Sequence, residues 1–172
     1  APAPRPDVPL RTGLGGIFFL LNHLARSGAL GTAEGRAHLE ERGGWGLFRD
    51  LAHGLCRRIL PLRPEALDDP VWALLAELAG EPAPGATDAS PWVRAMQRDT
   101  AHAVRAALLR RGSLRRALAA LLARPAEVTV DATHLDVRFR LDGADLATRR
   151  AALDLDPGWL PWLGRIVLFH YD

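Results

Sequence analysis

At Glu127 the spacing of apolar residues changes period, and this change constrains the fold more than any other feature of the chain. Upstream, Leu47, Phe48, Leu51, Ala52, Leu55 and Ile59 recur at three and four, the spacing of one buried helix face. Downstream, Val128 and Val130 share one parity, while Leu135, Val137, Phe139 and Leu141 take the other, the alternation of half-buried strands. The flip needs a turn or bulge at Asp131 to Thr133, so a hairpin or one strongly bent strand is predicted there. Helices first and sheet last make the class α+β, an N-terminal bundle of about five helices packed with a small C-terminal β-sheet.

The helical part divides at recognisable signals. Leu14 to Ala25 is apolar nearly all round but far short of the roughly twenty residues that span a bilayer, so it reads as a buried helix. Asn22 and His23 inside it fit a protein core better than lipid. Residues 31–44 are glycine-rich and charged, which predicts a loop with one helical turn near Ala33 to Glu41. An amphipathic helix then runs from Trp45 to just before Pro61. Asp69-Pro70 and Ser90-Pro91 each place a capping side chain before proline, starting a helix that Gly80 stops and another that extends to about Arg111. Ser113 caps a last helix closed by Pro125, Asp145 to Leu153 forms a short helix, and a strand from Ile166 completes the sheet.

With 172 residues, 48% apolar and 24% charged, the chain is long enough for one domain with a real core. We expect residues 1–10 to be the end of a proline-rich linker and 11–172 a single α+β domain, helical over 14–123 and sheet-containing over 127–172. The start at Ala1, without Met, points to a fragment or processed chain, and no secretory signal is visible in it. The single Cys56 cannot form an intrachain disulfide, in keeping with a reducing compartment or indifference to redox. All 22 basic residues are arginine, which removes phosphate-loop, Schiff-base and Ser-Lys chemistry.

Candidate catalytic groups are weak. His134 and Asp136 lie on one strand face with metal-ligand chemistry, but Arg138 and Arg140 continue that face as a solvated one. His170, Tyr171 and Asp172 are consecutive, and neighbouring strand residues point to opposite faces. His38, Glu40 and Glu41 lack zincin spacing, and Ser27, Ser90 and Ser113 lack a nucleophile elbow. Gly13, Gly15 and Gly16 fail as a dinucleotide loop. No catalytic residue, metal or cofactor is therefore expected.

Charge is unevenly distributed. Glu65, Asp68, Asp69, Glu77, Glu81 and Asp88 fall between Pro64 and Val93 without a basic residue, whereas Arg94, Arg98, Arg105, Arg110, Arg111, Arg115 and Arg116 follow with Asp99 as the one acid. Two readings fit: successive helices pair their opposite charges, or the arginines form a surface for an acidic partner. A net charge of +2 and the lack of interleaved aromatics argue against nucleic acid as the partner.

The C-terminal stretch is the most distinctive. Pro157-Gly158 predicts a stiff type II corner, Trp159 and Trp162 flank Pro161, and Ile166 to Phe169 is apolar on both parities, as in a docked strand. Leu153-Asp154-Leu155-Asp156-Pro157-Gly158-Trp159-Leu160-Pro161 and Gly164-Arg165-Ile166-Val167-Leu168-Phe169-His170-Tyr171, with Thr133-His134-Leu135-Asp136-Val137 before them, resemble the C-terminal region of tape measure proteins of contractile injection systems, the phage-tail-like particles of bacteria. Gly15 to Asn22 and Asp69 to Gly80 are similar to that family too.

The resemblance implies a non-enzymatic assembly module that docks on the tube, spike hub or baseplate, cytoplasmic during assembly and then inside the particle, without membrane insertion. It supplies no catalytic residues, and the absence of a long heptad stretch sets this chain apart from a ruler. The expected contact surface is Asp156, Pro157, Gly158, Trp159, Pro161 and Trp162, with Arg110, Arg111, Arg115 and Arg116, because aromatic and arginine side chains dominate interface energetics. The alternatives are a cargo-loading or tube-capping accessory and a small metal-dependent hydrolase using His134 and Asp136.

Overall fold

The alternating segment after Pro125 forms an antiparallel pair, β2 (Ala126–Val130) and β3 (His134–Phe139), with Val128 opposite Val137. The parity flip is an Asx turn: Asp131 Oδ1 accepts from the backbone N–H groups of Thr133 and His134, both at 2.7 Å. Those two bonds hold the Asp131 carboxyl below the usual carboxylate range. The computed structural model describes residues 9–59, 66–81, 90–108 and 113–172.

The class is α+β, as expected. Helices α1 (Leu20–Ser27), α2 (Ala33–Ile59), α3 (Val71–Ala79), α4 (Pro91–Ala107) and α5 (Leu114–Leu122) precede β2, and a 3-10 turn at Gly15–Phe19 leads into α1. After β3 come a short α6 (Leu146–Arg150), β4 (Gly158–Leu160) and β5 (Arg165–Tyr171). The sheet has the order β1-β2-β3-β5-β4, where β1 is Leu10–Thr12, and β5 runs parallel to β3.

One face of the sheet carries the core. Val128, Val130, Leu135, Val137, Phe139, Val167 and Phe169 are buried in one cluster with Ile17, Phe18, Phe19 and Leu20. Phe19 stacks on Phe139 at 4.7 Å and meets Phe169 edge-on at 5.3 Å. The apolar N-terminal segment is thus the layer between sheet and helices. Among the described residues no helix is long and apolar enough to cross a membrane.

Five expectations need correction. Leu10, assigned to the linker, is the first ladder residue and lies opposite Val128, so one strand comes before the helices. It is anchored by Asp69, whose carboxylate accepts from Thr12 Oγ1 (2.6 Å), Gly13 N (2.8 Å) and Val71 N (2.9 Å), capping α3 and closing β1 together. The segment from Leu14 begins as a 3-10 turn, within which Gly16 lies against the Leu121 carbonyl, where a Cβ would overlap it. The presumed loop at 31–44 is the first part of α2, which kinks at Gly43 (φ 67°) and continues. Ser113 occupies the N-cap of α5 without a side-chain capping bond. Leu141, expected on the inner face of β3, leaves the strand and is 64% exposed.

Candidate functional site

The sharp turn in the C-terminal stretch lies four residues later than expected, at Pro161 and not at Pro157. Gly158 has the positive φ (68°) anticipated for it, but it opens strand β4, and Trp159 follows inside that strand. The reversal itself is Pro161 to Gly164, where Leu163 N and Gly164 N both reach back to the Leu160 carbonyl at 3.0 and 2.9 Å. Gly164 (φ 64°) completes it in the left-handed region.

This hairpin is fastened to α2. Leu160 and Leu163 are buried, and Trp45 Nε1 donates to the Leu163 carbonyl at 3.1 Å. Trp162 packs partly buried against the core, whereas Trp159 is 58% exposed. The two tryptophans therefore divide the roles: Trp162 belongs to the core and Trp159 to the surface. Asp156, expected at the interface, closes the sheet edge just before β4 starts, accepting from Phe169 N at 2.7 Å.

Strand register shows what surrounds Trp159. It lies opposite Ile166 on β5, whose neighbour on β3 is His134; Leu168 is beside Asp136 and His170 beside Arg138. Thr129, Glu127 and Arg11 extend the same face across β2 and β1. The outer face thus has an apolar end, Trp159 with half-buried Ile166 and Leu168, and a charged end. At the charged end His170 Nε2 meets Asp136 Oδ1 at 2.6 Å and Arg11 meets Glu127 at 3.0 Å. Tyr171 points inward, as alternation requires, and donates to Asp154 Oδ2 at 3.0 Å. Among the described residues no three His, Cys, Asp or Glu side chains converge as a metal-binding group.

The arginine part of the expected surface is elsewhere. Arg110 and Arg111 lie outside the described residues, and Arg115 and Arg116 are exposed at the start of α5. Arg115 donates to the Arg58 carbonyl near the end of α2, while the tryptophan hairpin abuts Gly44 and Trp45. That separation along α2 is roughly 20 Å at the helical rise per residue, so the two patches are separate surfaces. The expected pairing of acidic and basic runs also differs in part: Glu81 pairs with Arg42 (3.1 Å) and Arg49 (2.5 Å) of α2, which also hold Asp50.

One pair escaped the sequence reading. Ser90 Oγ and His38 Nε2 are 2.8 Å apart across a separation of 52 residues, and His38 Nδ1 faces the Glu34 carbonyl at 3.0 Å. That carbonyl can only accept, so Nδ1 carries a proton, and in the neutral ring Nε2 then accepts from the serine hydroxyl. The same hydroxyl caps α4 by accepting from Val93 N at 3.2 Å, and His38 stacks on Trp92 at 4.6 Å. The apolar crevice beside it holds about 10 Å³, room for one water molecule. The pair ties α2 to the start of α4. No family model matches this chain, and neither a curated protein nor a solved structure matches it.

Proposed function

We propose that the chain is a non-enzymatic docking module, of the kind the resemblance to tape measure C-terminal regions implies, which attaches to a tube, spike hub or baseplate protein of a contractile particle. The observation that carries this reading is Trp159, 58% exposed on the edge strand of the sheet while the hairpin beneath it is anchored through Leu160, Leu163 and Trp45. A large ring on a preorganised support loses little freedom on binding, and tryptophan is the residue type most enriched among interface hot spots. Ile166 and Leu168 beside it provide an apolar surround, and the Asp136–His170 and Arg11–Glu127 pairs provide a polar rim.

Co-purification of the full chain with tube, hub and baseplate proteins tests the reading, wild type against Trp159→Ala. Loss of capture with an unchanged circular dichroism spectrum supports it. Undiminished capture, or a variant that unfolds, overturns it.

A further inference from the structure

A cleft of about 390 Å³ opens between α2, α4 and α5, away from the tryptophan hairpin. Each helix contributes residues one turn apart, so each presents a single face to it. Its apolar wall is Leu55, Ala101 and Leu118, exposed by 1%, 7% and 0% and therefore part of the domain core. Its polar wall is Arg58, Gln97, Arg98, His102, Ser113 and Arg115.

The sign of this wall is what makes it unusual. The chain as a whole is nearly balanced, with 22 basic and 20 acidic residues, yet no carboxylate is among the described residues lining the cleft. Other arginines of the fold have carboxylate partners, such as Arg42 with Asp50 and Arg149 with Asp154. Here the bond between cleft residues is a long one, Arg115 Nη2 to the Arg58 carbonyl at 3.4 Å, and among the described residues no carboxylate pairs with this guanidinium. Three like charges around one apolar floor repel one another, and an anion placed among them removes that cost.

We infer that this cleft binds a small phosphate monoester, with the phosphate held by Arg58, Arg98 and Arg115 and an apolar body against Leu55, Ala101 and Leu118. The volume falls in the range of small-molecule sites. Guanidinium forks match the oxygens of a phosphate, and a dianion with three terminal oxygens uses three such forks more fully than a carboxylate does. No Phe, Tyr or Trp is among the described lining residues, so a single-stranded nucleic acid would find no extended stacking platform. The site is independent of the docking reading.

Calorimetric titration of the full chain with phenyl phosphate tests it, with inorganic phosphate, benzoate and heparin as parallel probes. Phenyl phosphate should bind roughly tenfold or more tightly than either inorganic phosphate or benzoate. An Arg58→Gln/Arg98→Gln double variant should lose roughly tenfold or more in that affinity while keeping its fold, since both side chains are exposed. Trp159→Ala should bind phenyl phosphate as wild type does. Equal binding of all three small anions, binding of heparin alone, or an unaffected double variant would each overturn the assignment.

Discussion

Gly44 and Trp162 meet backbone to backbone: a Cβ at Gly44 would overlap the Trp162 carbonyl, so the start of the second half of α2 is pressed against the hairpin that carries Trp159. Neighbouring Gly43 has a positive φ of 67° and open space around it. Adjacent glycines thus serve different ends, one for closeness and one for the kink. Gly44→Ala must push a backbone segment aside and should cost roughly 1–3 kcal/mol, the range for overpacking. Gly43→Ala meets no atom and should cost about 1 kcal/mol from its left-handed conformation. Urea denaturation of both variants checks the order, Gly44 above Gly43.

The separation of roles between the tryptophans predicts opposite phenotypes. Trp159→Ala should change stability by no more than about 0.5 kcal/mol, as at other exposed positions, and lower partner affinity by about 2 kcal/mol, roughly thirtyfold. Trp162→Ala should lower stability by more than 1 kcal/mol, since its ring covers the core. Denaturation midpoints alongside binding titrations distinguish these outcomes.

Much of this arrangement was legible in the residues, for reasons that differ by position. The strands of the hairpin β2–β3 follow directly from the parity of Val128 and Val130 against Leu135 and Val137, because a side chain's face in a strand depends on local alternation. The first half of α2 was hidden because glycine signals both backbone freedom and small size. At Gly35 and Gly44 size is what matters, since each lies against a carbonyl, Ala29 in one case and Trp162 in the other. The surface role of Trp159 against the core role of Trp162 was invisible too: both follow the same aromatic spacing, and only the distant partners Ile166 and Gly44 separate them. The arginine cleft needed three helices to meet, which no local pattern states.

Cys56 is fully buried, and burial, with the charge of Asp69 adding to it, pushes its thiol up to about 12. The thiolate is the reactive form, so the native chain should resist a disulfide reagent at neutral pH. As the chain's one cysteine, it gives a clean probe. Labelling in the native state should be about a thousandfold or more slower than in urea if it requires global unfolding. Labelling at the unfolded rate would show that the α2 helix opens locally.

His53 faces Trp72 edge-on at 5.0 Å, and its pKa is lowered by burial first, then by the charges of Arg57 and Arg49, against an opposing Asp50. The unfolded chain then binds the proton more readily, so stability is full above the ordinary histidine value near 6.5 and falls as pH drops below it. His23 shifts the same way, through burial and Arg26, and adds to the same slope. His53→Gln should flatten part of the acid arm in denaturation curves recorded across this range, leaving the His23 share.

The inward end of β5 makes the opposite, alkaline prediction. Tyr171 donates to Asp154, whose side chain is 1% exposed and also takes Arg149 Nε at 3.0 Å. Burial first, then the Asp154 charge and the hydrogen bond to it, raise the phenol well above its ordinary value of 10, outweighing the opposing charges of Arg124 and Arg149. The folded state therefore keeps its proton where the unfolded state loses it, so this contribution is full below the unfolded phenol's value near 10 and declines as pH rises through it. Tyr171 is the chain's one tyrosine, so phenolate absorbance reports it alone. Native titration should begin well above that of the chain in urea, and coincident curves would refute the buried pair. Tyr171→Phe should remove this part of the alkaline slope and, by depriving a buried carboxylate of one donor, cost about 1–3 kcal/mol at neutral pH.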